Sequence, residues 1–340
     1  MNPDALRVAE HAADHQHPLQ MQRREVALPS VLALLQLVAV AALLVAQDRQ
    51  ERRRTRVAVA LIPPRRHRAA TSSERAWLGG NLTLMAVFLL TPLAVLVERS
   101  FRTAEGHGLG AWRALTDRSR TSGLFVPPME AVGNSLRFAV VATVIAVLLG
   151  GLAAAALARS SGRLARGLDA ALLLPLGTSA VTVGFGFLIA LDHPVDLRAS
   201  PWLVPLAQAL VALPFVVRTM TPVLRSIDER LREAAAVLGA SPGRAWREVD
   251  LPLIRRAVLV AAGFAFAISL GEFGATTVIA RADAPTVPVA IDRLLGRPGS
   301  LNVGQAFALS VILMVLTAAA VLLVDRSRRS DGTPDPGGWV

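Results

Sequence analysis

The chain has 340 residues, 53% of them hydrophobic, a net charge of +11, no cysteine, and 36 basic residues that are all arginine. The absence of cysteine excludes disulfides and thiolate metal sites, and the absence of lysine excludes a G-x-x-x-x-G-K-[ST] phosphate loop, so the chain is not itself a phosphate-loop ATPase. The charge does not point to nucleic acid, because the arginines sit mostly in short segments between long apolar runs, as in membrane proteins.

A mean hydropathy of +0.48 exceeds what a soluble domain of about 45–50% apolar residues carries. The excess is concentrated in runs of about 20 residues, the length that crosses a bilayer. In chain order, residues 1–26 are polar, lack the apolar core of a signal peptide, and are predicted to form a disordered tail. His11, His15 and His17 lie in this tail and would hold a metal only if it were ordered, so no metal site is assigned.

Seven spans are predicted, at 27–46, 79–98, 132–158, 168–191, 202–224, 254–280 and 302–324. Each is expected to be a helix, which satisfies its own backbone hydrogen bonds in lipid. Segments 47–78, 159–167, 225–256 and the stretch after 324 carry 22 arginines, against 12 in the segments of the opposite side. The positive-inside rule makes the first set cytoplasmic. Arg137 and Arg218 fall inside spans but near helix ends, where their stems can snorkel to the interface.

The first span is out of pattern. Residues 30–49 resemble 310–326, and both stretches end in arginine. Two readings stand: a likeness of two Ala/Val/Leu helices by composition, or an internal duplication whose first half is mostly missing. The arginine-rich segment 47–78, with Pro63-Pro64, is expected to link this extra helix to a domain at 79–325 that holds the other spans. A second tail at 326–340 follows.

The polar segment 226–252 lies between two spans on the arginine-rich side. Ser226-Ile227-Asp228-Glu229 fits a capping box at a helix start. Ile227, Leu231, Ala234 and Leu238 then fall on one helical face. Gly239 is placed to end the helix with a left-handed residue. Ser241-Pro242 restarts it as N-cap and first helical residue.

Within that segment Glu233-Ala234-Ala235, Gly239, Val249 and Leu251-Pro252 fall at the spacing of the EAA loop. The stretch resembles that loop in permease subunits of ATP-binding-cassette importers, and the resemblance covers about 130–325. It implies an all-α membrane protein of the type I importer fold, with a core of six helices preceded by one extra helix. It implies no covalent chemistry and no cofactor in this chain, with ATP and magnesium on partner ATPase subunits. Glu233, Ala234, Ala235, Gly239, Leu251 and Pro252 are then the ATPase-coupling residues. Other implied partners are an extracytoplasmic solute-binding protein, a second permease half and membrane lipid. Small alanines suit close entry into a partner groove, and such an element carries rigid-body motion to the spans it joins.

The sixth span contains Ser269-Leu270-Gly271-Glu272-Phe273-Gly274-Ala275-Thr276. A carboxylate in lipid is costly, which makes Glu272 a candidate for the solute pathway. The plainer reading is a structural acid, hydrogen-bonded between helices or paired with an arginine such as Arg218. The string is similar to that of permeases for ferric iron, thiamine, molybdate and sulfate. The extra span, Thr286-Val287-Pro288-Val289-Ala290-Ile291, Gly296-Arg297-Pro298-Gly299 and Pro175-Leu176-Gly177-Thr178 lean toward the iron and thiamine group, whose permeases are typically fused pairs. One EAA loop is present where a fused pair carries two. The chain is therefore expected either to join a second permease chain, itself or another, or to be a remnant that does not transport. A secondary transporter or channel would call for several intramembrane charges, where Glu272 is the clear acidic case.

Overall fold

The computed structural model describes residues 71–103, 106–117, 126–160, 162–191 and 200–329. The expected tail 1–26, the extra span 27–46 and the histidine group lie outside these residues.

Helix α1 (Ser72–Ser100) begins well ahead of the expected span start at 79. Its start is fixed by a capping box: the Glu74 N–H donates to Thr71 Oγ1, and the Thr71 N–H donates to Glu74 Oε2, each at 3.3 Å. Leu82, Leu84, Phe88 and Leu89 on this helix are all exposed, as suits a rod whose solvent is hydrocarbon. A two-stranded ribbon, β1 (Arg102–Thr103) and β2 (Gly106–His107), and a short helix α2 (Gly110–Ala114) follow it.

Three helices form the centre: α3 (Pro128–Arg159), α6 (Leu203–Ser226) and α9 (Leu251–Gly271). Their shared core is mostly alanine, with Ala142, Ala146, Ala209, Ala212, Ala261 and Ala265 around Val216, Met220 and Ile254. Between helices in lipid there is no hydrophobic gain to exploit, so small residues that let backbones approach are what hold them. Gly150 shows the tolerance: a Cβ there would lie 2.8 Å from Val216 Cγ1.

The expected span 168–191 is not one helix. It is α4 (Arg163–Gly177) and α5 (Ala180–Ala190), bent by 109° across Thr178-Ser179. The expected span 254–280 is also broken: α9 ends at Gly271, and a separate α10 (Gly274–Ile279) follows. Apolar residues on both sides of Thr178-Ser179 and of Glu272-Phe273 let each pair of helices read as one run. The described residues hold five helices long and apolar enough to cross a membrane, or six with α4 and α5 taken as one span.

Residues 287–295, between the last two expected spans, form helix α11 (Val287–Leu295), packed with α3 and with the final α12 (Ser300–Arg329). Two buried side chains fasten this end. Ser135 Oγ accepts the Val287 N–H at 2.8 Å, and Gln305 donates from Nε2 to the Ala114 carbonyl at 2.9 Å. Ser135→Ala leaves a buried N–H without its acceptor and is expected to cost about 1–3 kcal/mol. A lowered thermal midpoint in detergent, with unchanged membrane insertion, checks this.

Candidate functional site

The segment between α6 and α9 is built from short local rules. Ser226 does not cap the new helix. Its hydroxyl donates back to the Val223 carbonyl at 2.8 Å, so it belongs to α6. Asp228 is the N-cap instead, with Oδ1 accepting the Arg230 N–H at 3.0 Å, and α7 runs Glu229–Val237. Gly239 follows at φ +83°, a left-handed conformation that favours glycine. The Ala240 N–H reaches the Ala235 carbonyl and the Gly239 N–H reaches the Ala236 carbonyl, both at 2.9 Å, which closes the helix in a Schellman motif.

Ser241 stands at the expected N-cap position but makes no side-chain capping bond, and Pro242 opens α8 (Pro242–Ala245), which runs through a wide turn at Trp246–Asp250 into α9. In that turn Leu251 donates its N–H to the Trp246 carbonyl, five residues back. Pro252, having no N–H to give to the preceding turn, follows directly on the wide turn, and the backbone stays helical from Asp250 through Leu251 into α9. Leu251-Pro252 thus joins the loop to a span without a gap.

No residue of α7 is buried. Glu233 and Ala234 are exposed and Ala235 is half-buried. Val237 and Leu238 are 87% and 86% exposed at the tip, beside exposed Gly239. The helix presents an apolar end with no covering from the described residues.

Its base is fastened by residues that sequence reasoning missed. The Asp250 side chain is 3% exposed. Arg232 Nε donates to Asp250 Oδ1 at 2.9 Å and approaches Oδ2 at 3.0 Å, with Nη2 2.8 Å from Oδ1. These bonds raise the Arg232 guanidinium further above its already high pKa, against a smaller opposing effect of burial. Arg159, the last residue of α3, brings Nη2 to 4.0 Å from Asp250 Oδ2. Arg225 Nη2 donates to the Leu157 carbonyl at 3.2 Å, which caps the end of α3. A cleft of about 950 Å³ lies here, lined by Arg159, Arg225, Ile227, Arg232, Trp246 and Asp250 among others. The sequence hint was faint: one acid placed directly before Leu251-Pro252.

Glu272 lies at the far end of α9, about 30 Å away at 1.5 Å per residue. It is 6% exposed. Its carboxylate accepts the Ala275 N–H at 2.8 Å, the Thr276 N–H at 3.0 Å and the Thr276 hydroxyl. The acid therefore satisfies the first turn of α10, and it does so with amides rather than with Arg218. Glu272→Ala is expected to cost about 0.5–2 kcal/mol through those amides. A matching loss with Glu272→Leu, read as a thermal midpoint, checks that the lost bonds and not the volume are responsible. Among the described residues no group of three His, Cys, Asp or Glu side chains is placed to hold a metal ion.

Residues 129–330 match the family described as binding-protein-dependent transport system inner membrane component. The molybdenum transport system permease protein ModB of Mycobacterium tuberculosis is 34% identical over 223 residues, covering 62% of this chain and 81% of that protein. The PhnV permease protein of Salmonella typhimurium, named for 2-aminoethylphosphonate transport, is 28% identical over 249 residues, 72% of this chain and 90% of its own length. The thiamine transport system permease protein ThiP of Brucella suis is 29% identical over 269 residues, 78% of this chain but 46% of its own length. The crystal structure of a bacterial transporter importing the polysaccharide alginate shares the fold, with a TM-score of 0.58 at 17% identity, covering 76% of this chain and 96% of that one. The sequence match, the fold and the row of apolar helices agree: the chain belongs to the binding-protein-dependent inner membrane component family and is a multi-pass permease subunit of an ATP-binding-cassette importer, a transport component rather than an enzyme.

Proposed function

We propose that α7 and its flanks dock a cytoplasmic ATPase subunit, and that Glu233, Ala234, Ala235, Gly239, Leu251 and Pro252 carry the coupling. The supporting observation is a helix with nothing buried, an apolar tip at Val237 and Leu238, and a base held by a buried ion pair. ATP with magnesium acts on that partner and biases one of two permease states through its differential affinity for them. A second permease half, a copy of this chain or another, completes the pathway, and a solute-binding protein delivers the cargo from the other side. A related-fold importer has been crystallised with its periplasmic protein, which supports the last assignment. Glu272 serves the pathway by fixing the break between α9 and α10.

For cargo, a small oxyanion of the molybdate kind is the first candidate, supported by the 34% identity to molybdenum permeases over most of their length. Thiamine is the second, supported by ThiP and by the sequence strings shared with that group. Ferric iron rests on those strings alone.

Capture of an ATP-binding-cassette ATPase subunit from the same organism tests the docking reading. Detergent-solubilised native protein is expected to hold the ATPase, and Glu233→Arg, a charge reversal on the exposed face, is expected to release it. Native protein that captures no ATPase overturns the reading. Uptake by vesicles carrying the captured complex, with molybdate and thiamine supplied in turn, then assigns the cargo.

A further inference from the structure

The Arg232–Asp250 pair belongs to none of the coupling positions and does not lie in the membrane pathway. Its placement is specific. Asp250 closes the wide turn that runs directly into α9, Arg232 stands in the first half of α7, and Arg159 ends α3. One buried carboxylate therefore gathers the loop helix and two of the three central helices. The guanidinium meets both carboxylate oxygens, so the pair fixes an orientation as well as a distance. Without it α7 has no buried residue to hold its angle. The other connections are the chain itself, through Ile227 and α8, and shallow packing on the wide turn in which no residue of α7 becomes buried.

We propose that Arg232 and Asp250 are positioning residues that make α7 and the neighbouring ends of α3 and α9 move as one body. Arg159 adds charge at the rim without a close bond. The pair does not touch the docked partner; it determines whether a push on α7 reaches the spans. This rests on the docking reading for its use in transport, but the mechanical claim concerns this chain alone.

The mechanical claim is tested first, on the whole chain in lipid nanodiscs, with spin labels at Val237 and Ser160. The native chain is expected to give a narrow distance distribution. Asp250→Asn and Arg232→Gln are expected to widen it about twofold, as loss of a fixed pair frees the helix. Arg232→Lys, which keeps the charge but not the two-oxygen contact, is expected to fall between the native chain and these two variants. A distribution left unchanged in Asp250→Asn and Arg232→Gln overturns the proposal, whatever the ATPase does. The second readout is solute moved per ATP hydrolysed by the reconstituted complex. Both neutral variants are expected to retain ATPase capture and hydrolysis while this ratio drops about tenfold, an effect a merely stabilising pair does not have. Loss of capture together with a widened distribution would overturn the separation of positioning from docking. Absence of capture by native protein strikes the docking reading instead, and leaves the distance measurement to decide the clamp.

Discussion

Gly239→Pro is expected to abolish coupled uptake while the protein still inserts in the membrane. Gly239 stands at φ +83° and donates its N–H to the Ala236 carbonyl. Proline holds φ near −65° and has no N–H, so the Schellman closure is lost and the entry to Ser241-Pro242 is redirected. Even a residue able to hold this left-handed angle would lose about 1–3 kcal/mol there, and proline cannot hold it at all. A loss of about 1.4 kcal/mol already changes an equilibrium tenfold. Uptake is therefore expected to fall by about tenfold or more. Because the site is exposed and outside the spans, insertion should be spared. Gly239→Ala, strained but retaining the N–H, is expected to lie between native and proline, and a bulky charge at half-buried Ala235 is expected to act like proline. Vesicle uptake normalised to inserted protein reads the series. Unchanged uptake in the proline variant, or loss of insertion, contradicts the assignment.

Gly184→Ala is expected to destabilise the protein, while Gly186→Ala, two residues along the same helix, is expected to be nearly silent. A methyl at Gly184 would stand 2.8 Å from the Ala275 carbonyl oxygen and 3.0 Å from its Cα, both backbone atoms of α10 with nowhere to go. Gly186 has open space in the same sense. Gly274 answers from the other side: its missing Cβ would come 2.7 Å from that of Ala180. Overpacking of this kind costs about 1–3 kcal/mol. The pair of variants separates contact from helix propensity, since both replace glycine by alanine in α5. Thermal midpoints in detergent measure it, and equal midpoints would remove the close packing from the account.

The apolar runs were legible because a bilayer imposes length and composition, so α1, α3, α6 and α12 lie where the runs are. The breaks were not. Thr178-Ser179 interrupts a run without lowering its apolarity, and the bend is held by the Gly184–Ala275 and Gly274–Ala180 contacts, which join residues about ninety positions apart. In the loop, Gly239 and Ser241-Pro242 were legible because one residue type answers one backbone need. The capping residue was not, because Ser226 and Asp228 both qualify and the choice depends on where α6 stops. Beyond the acid before Leu251-Pro252, Arg232 and Asp250 left no local pattern, as their meeting depends on α7 folding back over the turn. Glu272 stood out as an acid in a span, but its partners are the amides of a helix whose start the sequence concealed.

The alanine-and-glycine centre has a thermodynamic consequence. Alanine and glycine lose no side-chain rotamer entropy on burial. Any repacking along this core freezes or releases few side chains. The balance between two arrangements of these rods then carries little side-chain entropy. Its temperature dependence is left to backbone contacts, to lipid, and to whatever binds at the ends.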